Sequence, residues 1–314
     1  LQLVYLYFTS PRTDQDAFES FLQRTEIQLK NVEAEPSVAF QDTITRKLYP
    51  DNSLFDRLKA EDMEKINYGR IMEMFRQSFS NPGSFVFAFV GNIDEEAVKP
   101  FILQYLGSIP GKYTRNRYEE LPMDIAKGIS ETVFPREMEN PKASVFNIFS
   151  GQSEFTRKNN IVISMLRQIM DIVYTEKIRE EEGGTYGVST SGSIARYPEG
   201  QTILQINFDT DPDKARELNN LVKGELRAMA ESGPRVEDFS KVKEYMLKAY
   251  NENIRENKYW LNQLTNKYFY DWDRHTQYLD MLNAITPEDV QNFARDLLAQ
   301  ENEKTVVMLP ATTD

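Results

Sequence analysis

The chain has 314 residues, 40% hydrophobic and 27% charged, a length that carries a prior of about two domains with ample core. A formal net charge of -12 without a basic run excludes a phosphate-tracking nucleic-acid binder. No stretch nears the roughly 18 to 20 apolar residues of a membrane span, and the absence of Cys excludes disulfides without choosing a compartment.

Residues 1–9 read as the end of an amphipathic helix stopped at Ser10-Pro11. The apolar opening from Leu1 to Phe8 lacks the basic flank and cleavage site of a signal peptide. It does not begin with Met, and the chain is expected to be a piece of a longer polypeptide. A polar helix is predicted over 14–32, and a shorter one from Pro36 through Phe40 and Ile44. Tyr49-Pro50-Asp51-Asn52 reads as a turn. Met63, Ile66, Ile71, Met74, Phe75 and Phe79 predict one helix over 61–79, broken by Asn81-Pro82-Gly83. Phe85 to Val90 is rich in β-formers and predicts a buried strand. Asp94 can cap a helix running to Leu106. Periodicity is then lost from 107. The predicted organisation is a partial domain over 1–112, a linker over 113–128 and a second domain over 129–314.

The second part opens with strands predicted over 130–136 and 143–150. A mostly apolar helix follows over 155–179, with Met165, Leu166, Ile169, Ile172 and Val173 as its core stripe. Strands are predicted over 185–195 and 201–208. Asp211-Pro212 starts a helix that Gly233-Pro234 ends. Helices continue over 236–250 and 259–270. Thr286-Pro287-Glu288-Asp289 opens a last helix with a capping-box pattern, and 305–309 is a closing strand. A helix opened by acidic residues precedes a strand in each half, at 61–90 and at 288–309. This echo favours two related α+β domains, the first incomplete with its single strand.

Arg179-Glu-Glu-Glu-Gly-Gly-Thr-Tyr186 carries the most chemistry. Arg179 falls at a helix end and Tyr186 at a strand start. Gly183 and Gly184 permit a sharp reversal between them. A guanidinium and a phenol can thus be aimed into one space, where both donate to a peptide carbonyl or a developing oxyanion. The bland alternative is a helix-capping Arg and a core Tyr. Glu180, Glu181 and Glu182 oppose the macrodipole at a helix C-terminus, and read as a solvated, partly paired cluster rather than a metal site. His275 is the only imidazole. It reads as a surface residue, because the zinc spacings H-x-x-E-H and H-E-x-x-H are absent. Tyr268 to Trp272 reads as core and helix-end packing. No metal or cofactor site is expected within the chain.

Several segments, in order along nearly the whole chain, resemble the C-terminal half of pitrilysin/insulin-degrading-enzyme-type zinc peptidases, the inverzincins. They are Phe87 to Asp94 with Tyr105 to Pro110, Ile178 to Val188, Asp211-Pro212, Val242-Lys-Glu244 and Glu256 to Leu261. The last looks closest to a bacterial periplasmic branch. The resemblance implies repeated α+β domains like those of mitochondrial processing peptidases, two per half, closing around a peptide. It implies that zinc and the general base belong to an N-terminal half bearing H-x-x-E-H, absent here. It assigns substrate contacts near the metal to Arg179 and Tyr186. The partners implied are that zinc-bearing half and peptide substrates, and the implied location is the bacterial periplasm or cell envelope.

The expectation is therefore the zinc-free, substrate-binding half of a peptidase, inactive alone. The rival is a catalytically inactive structural or assembly subunit of the same fold. A third reading is a peptide-binding module that acts alone.

Overall fold

A computed structural model of the protein describes residues 1–114, 119–181, 185–198 and 200–311, without the side chains of 179–181 and 185–186. In chain order, helices α1 (Gln2–Thr9), α2 (Gln15–Glu33), α3 (Pro36–Leu48), α4 (Tyr68–Phe79) and α5 (Glu95–Tyr105) come first. Strands β1 (Ile129–Arg136) and β2 (Ala143–Gln152) precede helix α6 (Arg157–Tyr174), which passes into a π-helical segment, Thr175–Glu181. Strands β3 (Thr185–Ile194) and β4 (Gln201–Thr210) lead to helices α7 (Ala215–Ser232), α8 (Val236–Asn253), α9 (Asn257–Tyr270), α10 (Tyr278–Ala284) and α11 (Pro287–Leu298). Strand β5 (Glu303–Pro310) closes the series.

The chain divides into two compact units. One comprises Leu1–Glu33, Leu58–Glu119 and Glu252–His275, and the other Ala34–Arg57, Glu120–Asn251 and Thr276–Asp314.

The second unit is built on a five-stranded sheet in the order β1-β5-β2-β4-β3. Only β1 and β5 run parallel; the other neighbours are antiparallel. Side chains alternate across the sheet because the strand period is two. Val145, Leu204, Ile206 and Phe208 face the apolar stripes of α6, α7 and α11, among them Leu166, Leu226 and Val290. Phe146, Ile148 and Val306 face the other way, onto Ile44 and Leu48 of α3 and onto Ile125. Covered on both faces, β2 is buried continuously from Ala143 to Ser150. The predicted α+β class, with an antiparallel-rich sheet packed on helices, is what this unit displays.

Several polar groups inside this core are paired. Asn147, fully buried on β2, donates to Asn219 Oδ1 of α7 at 2.7 Å and accepts from Thr305 Oγ1 of β5 at 2.8 Å. Lys223 of α7 and Glu303 of β5 pair at 2.6 Å, with side chains 11% and 12% exposed. Lys304 Nζ donates to the carbonyls of Lys127 and Gly128 and so fastens the segment before β1 to the sheet.

The first unit departs from expectation. Residues 85–90 form no strand. Their backbone is extended where Phe85 starts it, and Phe85 and Phe87 both turn onto Phe8, at 4.9 and 5.9 Å, as period two requires. What is missing is the ladder: a strand needs a neighbour for its amides, and none pairs with it among the described residues. Phe85, Val86, Phe87 and Phe89 are therefore exposed instead of buried. Helices α1, α2, α4, α5 and α9 likewise contain no buried residue among those described.

Other boundaries moved for local reasons. The single helix expected over 61–79 is a 3-10 turn, Ala60–Lys65, followed by α4. Asn67 separates them, its Oδ1 accepting from the Arg70 amide at 2.9 Å, since a short amide side chain favours a cap over a helix interior. Tyr268 and Phe269 are 65% and 73% exposed, so the aromatic run is a helix end rather than core. Asp271 takes the left-handed conformation that terminates α9. Helix α10 had no sequence prediction. The capping box at Thr286 and Asp289 formed as expected.

Candidate functional site

The Arg179–Tyr186 stretch joins two elements of the second unit. Arg179 lies in the π-helical segment and Tyr186 in β3. Their side chains, residues 182–184, and the side chains of Glu180 and Glu181 lie outside the described residues.

The approach to Arg179 is anchored in the core. Tyr174, at the end of α6, is fully buried and its hydroxyl donates to Val222 O of α7 at 3.1 Å. Burial and the nearby Glu225 and Asp171 raise its pKa well above the usual phenol value, so it stays neutral. Ile178, immediately before Arg179, is also fully buried. The helix expected over 155–179 gives way after Tyr174 to the π-helical segment, within which Ile178 still packs in the core that α6 lines. Such segments cluster at functional sites.

Two ties hold this stretch at its edges. Asp171 Oδ1 accepts the backbone N–H of Thr190 on β3 at 3.1 Å, while Oδ2 accepts from Arg167 at 3.0 Å. Burial raises the Asp171 pKa against the lowering effect of Thr190 and Arg167. Glu176, in the first turn of the π segment, accepts a two-pronged bond from Arg235, one arm at 2.9 Å. Arg235 Nε also donates to Asp238 at 2.6 Å, whose side chain is only 8% exposed. Arg235 therefore ties the π segment to the start of α8. Its bond, more than its proximity, holds the Glu176 carboxyl below the usual range, against a smaller effect of burial.

On the far side, β3 is irregular where Tyr186 enters. Thr185 pairs with Thr210 and Val188 with Phe208. Three steps on β3 thus match two on β4, which is a β-bulge, and bulges re-aim side chains next to functional sites. The helix-end and strand-start placement expected of Arg179 and Tyr186 is present at the level of the backbone. Sequence reading did not find Asp171, Glu176 and Arg235. Only the excess of charge beside an otherwise apolar helix hinted at them, and that signal is common.

Among the described residues no group of three or more His, Cys, Asp or Glu side chains is placed to hold a metal ion. His275 lies in the other unit, partly buried, where its Nδ1 shares a hydrogen bond of 2.8 Å with the Tyr259 hydroxyl and its ring tilts against Trp260 at 4.9 Å. The expected surface histidine is thus an aromatic packing residue.

The model of the Peptidase M16 inactive domain matches residues 65–246, more than half of the chain. This chain belongs to that M16 peptidase family. The resemblance read from the motifs is borne out. An Arabidopsis thaliana relative named Zinc protease PQQL-like is 26% identical over 282 residues, covering 85% of this chain and 30% of its own length. Probable zinc protease PqqL of Escherichia coli (strain K12) is 22% identical over 313 residues, covering 95% of this chain and 32% of its own. The crystal structure of the periplasmic protease PqqL from Escherichia coli shares the fold, with a TM-score of 0.77 at 20% identity, over 93% of this chain and 32% of that one. The M16 chain described here spans about a third of the length of these curated relatives. No helix among its described residues is long and apolar enough to cross a membrane.

Proposed function

We propose that this M16 chain is the substrate-closing half of a zinc-dependent peptidase, with Arg179 and Tyr186 as its substrate contacts. The observation that carries the reading is the placement of those two positions on a π-helical segment and a bulged strand start, at the two ends of one short connection. Arg179 would donate its fork, and Tyr186 its hydroxyl, to the carbonyl of the peptide bond under attack. Both donors would gain strength as charge builds on that oxygen. Zinc and its general base would belong to the other half, fused or separate, and no step of metal chemistry falls to residues of this chain. The relative described as periplasmic supports a periplasmic or envelope location.

The test is hydrolysis of a quenched fluorogenic peptide library, with zinc analysis of the same samples. This chain alone should neither hold zinc nor cleave. The full-length protein should do both and lose activity to a chelator. Within it, Arg179→Ala or Tyr186→Phe should lower kcat by about 10²- to 10³-fold, the usual cost of one oxyanion donor. Wild-type turnover in both variants would remove the proposed roles. An inactive full-length protein would favour the inactive structural or assembly subunit.

A further inference from the structure

We infer that Arg235 is a positioning residue for the Arg179–Tyr186 connection, acting through Glu176. The inference deepens the proposed function and rests on it.

Arg235 is held from below. Its Nε donates to Asp238 at 2.6 Å, and its carbonyl accepts the Phe239 amide at 3.0 Å, so it is part of the first turn of α8. Its two terminal nitrogens reach the two oxygens of Glu176. A planar fork on a carboxylate fixes direction as well as distance, which a single ammonium contact does not. Glu176 is three residues before Arg179, in a segment whose geometry is not that of the helix it continues.

The opposite edge is fixed separately. Asp171 binds the Thr190 amide at 3.1 Å, and Thr175 Oγ1 donates to Asp171 O at 2.7 Å. The last turn of α6 is therefore tied to β3 by Asp171, and the first turn of the π segment is tied to the start of α8 by Arg235. The Asp171 clamp is partly buried. The Arg235–Glu176 pair is 49% and 36% exposed, and an exposed pair contributes little to global stability. A device that holds geometry without contributing much to stability fits a site that must present two donors at a fixed spacing, because a misplacement of about 1 Å can cost ~100-fold in rate.

The test uses the full-length protein, with Arg235→Gln, Arg235→Lys, Arg179→Ala and the double variant Arg235→Gln/Arg179→Ala. Arg235→Gln should lower kcat by about 10- to 100-fold, with KM little changed and the melting temperature moved by no more than a few degrees. Arg235→Lys should restore part of the loss. The double variant should be no slower than Arg179→Ala, since a donor that is no longer placed has nothing left to lose. In Arg235→Gln, amide exchange should quicken across 175–190 and stay unchanged in β2 and α7. Multiplying losses in the double variant, or unchanged exchange across 175–190, would overturn the inference. Quickened exchange combined with wild-type turnover in Arg179→Ala would uphold the clamp and remove the proposed role of Arg179.

Discussion

Asn147 is the sharpest single-residue commitment in the sheet. Its amide serves Asn219 and Thr305 at once in a site without solvent access. Asn147→Ala strands both partners, and each buried group left unpaired costs roughly 1 to 3 kcal/mol. A fall of that order or larger is expected in denaturant unfolding of the second unit. Glu176 makes a pH prediction. Its carboxyl titrates below its ordinary value of 4.5 because Arg235 bonds the ionised form. The contribution is thus complete above pH 4.5 and lost as pH falls through the lower folded value. Wild type and Glu176→Gln should differ in amide exchange across 175–190 at neutral pH and converge on acidification. A difference that persists at low pH would show that the carboxylate is not the cause. Sequence singled out Arg179 and Tyr186 as candidates because cation, paired glycines and phenol form a local pattern. Asp171 and Arg235 were not legible, since their partners stand 19 and 59 residues away.

Elements with local signals were read well. Asp94 caps α5 through the Ala97 amide at 3.0 Å, and Thr286 and Asp289 form the predicted box at α11. Thr286→Ala should cost about 1 kcal/mol, within the usual range of ~0.5 to 2 for a lost cap. The same substitution leaves Lys158 still paired to Asp289 at 2.6 Å, so an effect far above that range would mean the box does more than cap. Elements without local signals were misread. The helix predicted over 155–179 ends as a π segment because apolar spacing over its last turns cannot distinguish one extra residue per turn from none. The strand predicted over 85–90 has the right residues and extended start, yet no ladder, because pairing is a property of a neighbour and not of the segment.

At the scale of the whole molecule, burial is unequal. The second unit carries two buried apolar clusters, one on each face of its sheet. Five helices of the first unit bury no residue among those described. Local stability follows buried contacts. Amides of β2, β4, α6 and α7 should therefore exchange orders of magnitude more slowly than those of α2, α4 and α5 when this chain is studied alone. Equal protection would contradict the burial pattern. In any longer protein that contains this chain, slower exchange across 85–90 would show that this apolar run has gained a partner. By itself the sequence determined the α+β class, most element boundaries, the family and the Arg179/Tyr186 candidates, because caps, periodicity and short motifs are written in neighbouring residues. Only the tertiary structure decided the strand order, the two-sided burial of β2, the bulge at Tyr186 and the clamps at Asp171 and Arg235. Each of these is a contact between segments far apart in the chain, and long-range contacts are selected by packing and pairing geometry that no local window contains.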